Sequence, residues 1–236
     1  MTHLVLVPGL AGDATMWADQ LPALPAALVP TVTDVHMRHA SVPAMAEALL
    51  QAHAGPLVLC GASMGGMIAM EAARQAPARI RGLALLGTTA RPETAEMRTL
   101  REGAIAVFFR EGGVEDILRA NVVLAFHPDA ARDTALVERY LGFVMAAGAS
   151  QLVRQNRAVM DRPDARPHLP RVTCPTLVLC GEDDRLTPLD CSREIAARIP
   201  GAELETIPRC GHMLTMEKPA VVNAALNAWL ARHGLA

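Results

Sequence analysis

The chain lacks the features that would hold it to a polyanion or a membrane, and it is poor in aromatic residues. Its 236 residues carry a formal net charge of −2, and only 3% of them are aromatic. A nearly neutral chain offers no cationic field to attract nucleic acid or anionic lipid. The longest apolar runs, such as residues 104–109, are far shorter than the roughly 18 residues that suggest a membrane-spanning helix. We therefore expect neither a nucleic-acid partner nor a membrane partner.

Cysteine chemistry is largely excluded as well. The five cysteines are an odd number, and no two of them stand in a Cys-x-x-Cys spacing. This pattern indicates neither a disulfide framework nor a zinc ribbon. No basic leader precedes the first apolar run at residues 3–7, so we expect a cytoplasmic protein with reduced thiols. His36 and His39 are three residues apart, but the residues beside them complete no metal-ligand set, which favours surface or packing roles.

Apolar side chains, in contrast, are abundant and make up 51% of the chain. They exclude global disorder and suffice for one buried core. Short runs of leucine and β-branched residues recur, and most of them are apolar on both faces. Such runs are typical of strands in a parallel sheet that is buried between two layers of helices. The predicted strands are residues 4–7, 28–33, 57–60, 83–86, 176–180 and 203–207.

Segments of helical period separate these strands. Asp13 and Ser41 are predicted to begin helices that end near residues 24 and 53, and further helices are predicted over 190–198 and 219–232.

The interval 91–170 shows helical period and no strand signal. A helical excursion between two strands of such a sheet is most simply a lid over its ligand-binding edge. We therefore predict a core domain of residues 1–90 and 171–236 and a helical lid of residues 91–170. The helices expected within the lid are residues 93–110, 114–124, 129–147 and 150–160.

The predicted lid holds five of the seven aromatic residues of the chain. These rings form either the lid's own small hydrophobic core, which is the simpler interpretation for any one ring, or a wall that faces a ligand. Methionines near the presumed site are further candidates, because flexible thioethers suit varied acyl groups. The candidate substrate-contacting residues are Phe108, Phe109, Phe126, Phe143 and Met213.

Residues 61–65 read Gly-Ala-Ser-Met-Gly and stand between the third predicted strand and a helical segment. In that position Gly-x-Ser-x-Gly is a nucleophile elbow, because small residues permit a tight, strained turn that projects the serine hydroxyl from the strand end. The first amides of the following helix favour negative charge on a reacting oxygen. Ser63 is therefore the candidate nucleophile.

A neutral serine is a poor nucleophile, so it needs a general base, and the base needs an acid to orient it. With this type of elbow, both groups follow later in the chain at the ends of further strands. The fifth predicted strand runs into Asp183 and Asp184, and the sixth is followed by His212. The other histidine after the acids, His233, lies near the end of the sequence, where fraying is common. We predict that His212 is the base and that one of the two aspartates is the acid.

An oxyanion hole needs a second backbone amide, which usually comes from the loop after a neighbouring strand. Residues 8–12 follow the first predicted strand and read Pro-Gly-Leu-Ala-Gly. Glycines without side chains let a backbone N–H approach a substrate, although Pro-Gly is by itself a common turn. We predict that the amides of Leu10 and Met64 form the oxyanion hole.

Together these residues resemble the α/β-hydrolase fold superfamily over nearly the whole chain except the predicted lid. Residues 181–188 are similar to its acid loop, with the acid three residues after a glycine, and residues 211–219 are similar to its histidine loop. The resemblance favours Asp184 over Asp183 as the acid. Pro8 departs from it, since the superfamily usually carries histidine there. The family's N-terminal hairpin is also missing, so the resemblance implies an α/β fold of about six mostly parallel strands between helices.

The function that the resemblance implies is that of a serine hydrolase of the carboxylesterase or lactonase type. It would cleave small or medium carboxylic esters through a Ser-His-Asp triad and an acyl-enzyme, without a metal or an organic cofactor. The expected partner is thus a small-molecule ester or lactone. The same triad also cleaves carbon–carbon bonds or opens enol-lactones in aromatic catabolism, serves perhydrolases, or is retained in ligand sensors. The oligomeric state is not readable from the sequence.

Overall fold

Six strands form one sheet in the computed structural model, which describes residues 2–235. The strands are β1 (His3–Val7), β2 (Thr31–Val32), β3 (Leu57–Ala62), β4 (Ile80–Leu86), β5 (Thr176–Gly181) and β6 (Glu203–Ile207). They lie in the order β2-β1-β3-β4-β5-β6, and every neighbouring pair is parallel. The prediction of about six mostly parallel strands is confirmed.

The sheet divides the hydrophobic core into two clusters, one on each face. Along β1, Leu4 and Leu6 enter one cluster, whereas Val5 and Val7 enter the other, because successive side chains of a strand point to opposite faces. All residues of β3 and β5 are buried. Burying one such aliphatic side chain contributes about 1.5–3 kcal/mol. This explains why the central strands are apolar without alternation.

Helices cover both faces of the sheet. Ser41 caps the second of them, since its Oγ accepts a hydrogen bond from Ala44 N–H at 3.3 Å, and the prediction for this helix start is confirmed. No helix among residues 2–235 is both long and apolar enough to cross a membrane. The α-helices of these residues are α1 (Val35–Arg38), α2 (Val42–Ala52), α3 (Met64–Gln75), α4 (Ala95–Val107), α5 (Gly113–Ala125), α6 (Thr134–Met160), α7 (Leu189–Arg198), α8 (Leu214–Glu217) and α9 (Pro219–Arg232).

The segment after β1 differs from its prediction. Asp13 caps a helical turn as expected, but no α-helix continues to residue 24. Three short 3₁₀ turns occupy the segment instead, namely Ala14–Trp17, Leu21–Ala23 and Ala26–Leu28. Pro22 and Pro25 lack the N–H donors that an α-helix needs there. The next predicted strand, residues 28–33, is correspondingly reduced to the two residues of β2.

Three helices, α4 to α6, lie between β4 and β5, and we term residues 91–170 the helical insertion. The two helices predicted over 129–147 and 150–160 are the two halves of α6, and Gly148, whose backbone is not helical, separates them as expected. Both ends of the insertion are joined by ion pairs, because Glu93 contacts Arg162 at 3.0 Å and Arg101 at 2.7 Å. The Glu93 and Arg162 side chains are almost fully buried. Whether the insertion acts as a lid domain stays a prediction.

Candidate active site

Ser63 occupies a strained turn at the carboxyl end of β3, directly before α3. Its φ of 53° and ψ of −118° lie outside the regions that L-residues prefer. A Cβ at position 61 would overlap the backbone of Gly65, and a Cβ at position 65 would overlap the carbonyl of Val7, so the turn can form only with glycine at both positions. The side chain of Ser63 is thereby held at the sheet edge, where it is only partly buried.

His212 and Asp184 meet at the same edge, on the loops that follow β6 and β5. Asp184 Oδ2 lies 2.8 Å from Nδ1 of His212. The Asp184 side chain is fully buried, and that of His212 is 6% exposed. Thr187 donates its hydroxyl to the same Asp184 oxygen at 2.8 Å, and the N–H groups of Leu186 and Thr187 donate to Oδ1. The carboxylate therefore has four hydrogen-bond partners and a fixed orientation.

The neighbouring Asp183 has different surroundings. Its side chain is 45% exposed, and its Oδ2 lies 3.8 Å from Nε2 of His127. Of the two aspartates that were candidates for the acid, only Asp184 contacts the imidazole of His212 in the structure.

The pKa values of the pair follow from this contact. Burial alone lowers the pKa of His212, but the adjacent Asp184 carboxylate outweighs burial and raises it above the ordinary value of 6.5. Burial alone raises the pKa of Asp184, but His212 and the donors of Thr187 hold it below its ordinary value. The pair thus favours an ionised carboxylate beside an imidazole that accepts a proton readily.

The helical insertion and α8 hold the loop of His212. The N–H groups of His212 and Met213 both donate to the carbonyl of Ala125, at the end of α5, at 2.8 and 3.1 Å. The carboxylate of Glu217 accepts hydrogen bonds from the N–H groups of Gly211, Met213 and His127. The backbone on both sides of His212 is therefore tied down, and part of the support comes from residues 91–170.

The strand order brings the serine and the histidine to one edge. β4 lies between β3 and β5, and its end contacts both sides of the site, since Thr88 donates to the carbonyl of Ser63 at 2.7 Å and Gly87 adjoins Asp184.

Within residues 2–235, no hydrogen bond joins Ser63 Oγ to Nε2 of His212. Catalytic contacts of this kind are often long in a free enzyme and tighten when substrate binds.

The backbone amides of Leu10 and Met64 have no hydrogen-bond acceptor among residues 2–235. Gly9 packs against Ser63, so the loop of residues 8–12 adjoins this serine. Met64 is the first residue of α3, where amides lack an acceptor within the helix. The two amides predicted for an oxyanion hole thus make no hydrogen bond within this part of the chain.

The aromatic residues of the insertion pack mainly against one another. The ring of Tyr140 meets the rings of Phe126 and Phe143 edge to face, at centroid distances of 5.3 and 5.6 Å. Phe108 is buried in the same hydrophobic cluster, as is Met213. Phe109 is 70% exposed on the outer surface. Such a position does not fit a wall that encloses a ligand, and we drop Phe109 from the candidate pocket.

Sequence reasoning did not find two side chains that contact the site. Thr187 donates to Asp184, and Gln155 of the insertion accepts a hydrogen bond from Ala11 N–H. Thr187 lies within the motif of the acid loop, and this position was the only signal for it. Gln155 is one of several polar residues on α6, and only the fold shows which of them contacts Ala11. No group of three metal-ligating side chains occurs among residues 2–235.

Comparison with known proteins identifies the class. Residues 4–225 match the alpha/beta hydrolase family, and the chain belongs to this family. The protein is accordingly an enzyme of the hydrolase class.

Individual relatives agree with this assignment. A candidate carbamate hydrolase, RutD of Serratia proteamaculans, is 31% identical over 248 residues, which cover 97% of this chain and 91% of the relative. A thermophilic esterase of Thermogutta terrifontis, solved with malate bound, has a TM-score of 0.86 at 28% identity, over 99% of this chain and 90% of that one. The enol-lactonase of Burkholderia xenovorans LB400 has a TM-score of 0.85 at 20% identity, over 98% and 92%, and this likeness shows the fold alone.

Proposed function

We propose that the protein is a serine esterase that cleaves small or medium carboxylic esters through Ser63, His212 and Asp184. The observation that carries the proposal is the buried contact of 2.8 Å between Asp184 and His212, at the sheet edge that also holds the strained Ser63. The likeness to the Thermogutta esterase supports an ester as the substrate.

In this mechanism Ser63 Oγ attacks the ester carbonyl while Nε2 of His212 takes the hydroxyl proton. Asp184 holds the imidazole by its Nδ1–H and stabilises the imidazolium that forms. His212 then gives the proton to the leaving alcohol as the carbon–oxygen bond breaks. Water, deprotonated by the same imidazole, attacks the acyl-enzyme, and His212 gives that proton to Ser63 Oγ as the acyl–oxygen bond breaks and the acid is released.

The tetrahedral intermediates carry their negative charge on the former carbonyl oxygen. We assign its stabilisation to the N–H groups of Leu10 and Met64, which have no acceptor of their own among residues 2–235. Such a donor is worth about 10²- to 10³-fold in kcat when it is removed from other enzymes. We also propose that the helical insertion is the lid of this site. Two of its residues, Ala125 and Gln155, accept hydrogen bonds from the loop of His212 and from the loop of residues 8–12.

The name of the Serratia relative favours a second candidate, hydrolysis of a carbamate. A carbamate presents the same planar carbonyl carbon as an ester, so the same residues would act on it. Its nitrogen lone pair makes that carbon less electrophilic. A carboxylic ester and a carbamate of the same alcohol therefore discriminate the two candidates by the ratio of their kcat/KM values.

The proposal is tested with the purified protein and a panel of p-nitrophenyl esters of increasing acyl length. Ser63→Ala is expected to lower kcat by at least about 10⁴-fold and to abolish labelling by a fluorophosphonate, while the circular dichroism spectrum stays unchanged. Ser150→Ala, at an exposed site on α6, is the matched control and should keep both activity and labelling. Hydrolysis that survives in Ser63→Ala would refute the mechanism.

A further inference from the structure

The loop that carries Leu10 is held by a side chain of the helical insertion. Oε1 of Gln155, on α6, accepts a hydrogen bond from Ala11 N–H at 2.6 Å, and its Nε2 donates to the carbonyl of His36 at 2.9 Å. Gln155 is completely buried. Turning its amide over would leave buried donors and acceptors unpaired, so the two bonds fix its orientation.

The loop is constrained on both sides of Leu10. Ala11 adopts a φ of 56°, a left-handed conformation that a residue with a side chain keeps only when its surroundings enforce it. On the other side, Gly9 N–H points at Sδ of Met16 at 3.4 Å. The Leu10 amide lies between these two anchored amides and is itself without an acceptor among residues 2–235.

His36 completes the attachment. Its Nε2 donates a hydrogen bond to the carbonyl of Gly12, at 2.7 Å. His36 thus contacts the end of the loop through its ring and Gln155 through its backbone carbonyl. Burial lowers the pKa of His36, which keeps the ring neutral. Buried hydrogen bonds therefore connect the loop, α1 and the insertion to one another.

We propose that Gln155 is a positioning residue of the oxyanion hole, which fixes the direction of the Leu10 N–H through its bond to Ala11. The inference rests on the proposed esterase function. Gln155 makes no contact with the reacting atoms in this role. It acts on the peptide units next to Leu10, where a displacement of about 1 Å from the productive geometry can cost on the order of 10²-fold in rate.

The chain offers a matched control one turn earlier on α6. Gln151 is also buried and also donates to the carbonyl of His36, at 3.3 Å, but it makes no bond to residues 8–12. Gln155→Leu and Gln151→Leu both remove a buried amide at nearly constant volume. The expected result is a fall in kcat of about 10- to 100-fold for Gln155→Leu with KM nearly unchanged, and kcat within about threefold of wild type for Gln151→Leu.

A trifluoromethyl ketone separates loop positioning from general damage. Ser63 Oγ adds to its carbonyl carbon, the hydroxyl proton passes to His212, and the ketone oxygen becomes an oxyanion in the proposed hole. Its inhibition constant should rise in Gln155→Leu by a factor similar to the loss of kcat and stay unchanged in Gln151→Leu. Inhibition by the carboxylic acid product, which has no tetrahedral oxyanion, should change little in either variant.

The conservative variant Gln155→Glu provides a rescue. A buried carboxyl favours its protonated form, which has the shape of the amide, accepts from Ala11 N–H and donates to His36. Gln155→Glu should therefore keep kcat within about threefold of wild type. Loss of kcat as large as in Gln155→Leu, or equal kcat in Gln155→Leu and Gln151→Leu, would overturn the proposal.

The wild-type protein provides a measurement that needs no variant of Gln155 to fold. In hydrogen exchange the Ala11 amide should exchange as slowly as the amides of α6, and fast exchange at Ala11 would also overturn the proposal. Wild-type hydrolysis and its loss in Ser63→Ala are measured first. Failure of the proposed function appears in that pair, whereas failure of the positioning role appears only in the variants of Gln155.

Discussion

Asp183 and Asp184 are adjacent in the chain and differ almost completely in their surroundings. The first is half exposed near His127, and the second is buried against His212 and Thr187. Backbone direction after β5 makes the difference, because neighbouring side chains of a loop point in different directions. A one-residue shift in such a loop would exchange the two roles.

Substitution of each aspartate by asparagine tests the assignment. Asp184→Asn should lower kcat by about 10³- to 10⁴-fold, since the imidazole loses both its orienting acceptor and the charge that stabilises the imidazolium. Asp183→Asn should keep kcat within about threefold, because an exposed charge contributes little. Steady-state kinetics with one ester measure both variants, and comparable losses would contradict the role given to Asp184.

The pH dependence of kcat/KM is a second prediction at the residue scale. The raised pKa of His212 means that the ring becomes protonated, and unable to accept the serine proton, as the pH falls through a value above 6.5. The rate should therefore drop on the acid side of that pKa and level off above it. Without the Asp184 carboxylate, burial is opposed only by the weaker effect of Glu217, so in Asp184→Asn the inflection should move to lower pH.

Measurements between about pH 5 and 9 with an uncharged ester record this profile. A profile that is flat over this range, or an inflection that moves to higher pH in Asp184→Asn, would contradict the assignment of His212 as the base.

Among the elements, α6 has the most unusual backbone. Gly148 interrupts it with a φ of 77° and a ψ of 164°, a conformation that is essentially restricted to glycine. The kink separates the half of α6 that contacts Phe126 through Tyr140 from the half that carries Gln155. The first half of α6 thus packs in the insertion's own core, and the second half contacts the loop of residues 8–12.

Gly148→Ala should lower the free energy of unfolding by about 1–3 kcal/mol, because alanine cannot adopt this conformation without strain. Gly142→Ala is the control in the same helix. Its conformation is helical and its added methyl group would meet no atom within 4 Å, so it should raise the free energy by about 0.5–1 kcal/mol. Urea unfolding measures both, and equal stability of the two variants would contradict the strain argument.

The element that could least be predicted from the sequence is the insertion's contribution to the site. Its helical period is visible in the sequence, and so is the interruption at Gly148. The contacts of Ala125 with the loop of His212 and of Gln155 with Ala11 span 87 and 144 residues. No local pattern encodes contacts over such separations, because they depend on how the insertion folds back on the sheet.

At the scale of the whole molecule, the reactivity of the cysteine thiols measures how well the core is closed to solvent. Four of the five cysteines are buried and Cys174 is partly buried. Burial raises the pKa of Cys180 to about 11, and it also raises the pKa values of Cys60 and Cys210. These thiols are therefore shielded from reagents and remain protonated at neutral pH.

With Ellman's reagent at about pH 8, the native protein should release colour rapidly from at most one thiol, Cys174, and from all five after unfolding in urea. Cys174→Ser should remove the rapid phase and leave the slow reaction, which is limited by opening of the core. Two or more rapidly reacting thiols in the folded protein would show that the core is less closed than the structure indicates.

The sequence by itself determined the parts of this protein that depend on local chemistry. Apolar strands specify the parallel sheet, and the glycines of the elbow specify the strained turn at Ser63. The motif around Asp184 narrows the candidate acids to two. The prediction of an α-helix after β1 was wrong because prolines interrupt it, and 3₁₀ turns form instead. The local pattern also did not show that the ring of Phe109 faces outward.

Tertiary structure alone decided which groups meet. It placed Asp184, not Asp183, against His212, left the amides of Leu10 and Met64 without an acceptor among residues 2–235, and brought Gln155 to Ala11. The physical reason is that a buried polar group is stable only when a partner satisfies it, and the partner is chosen by packing across the whole fold.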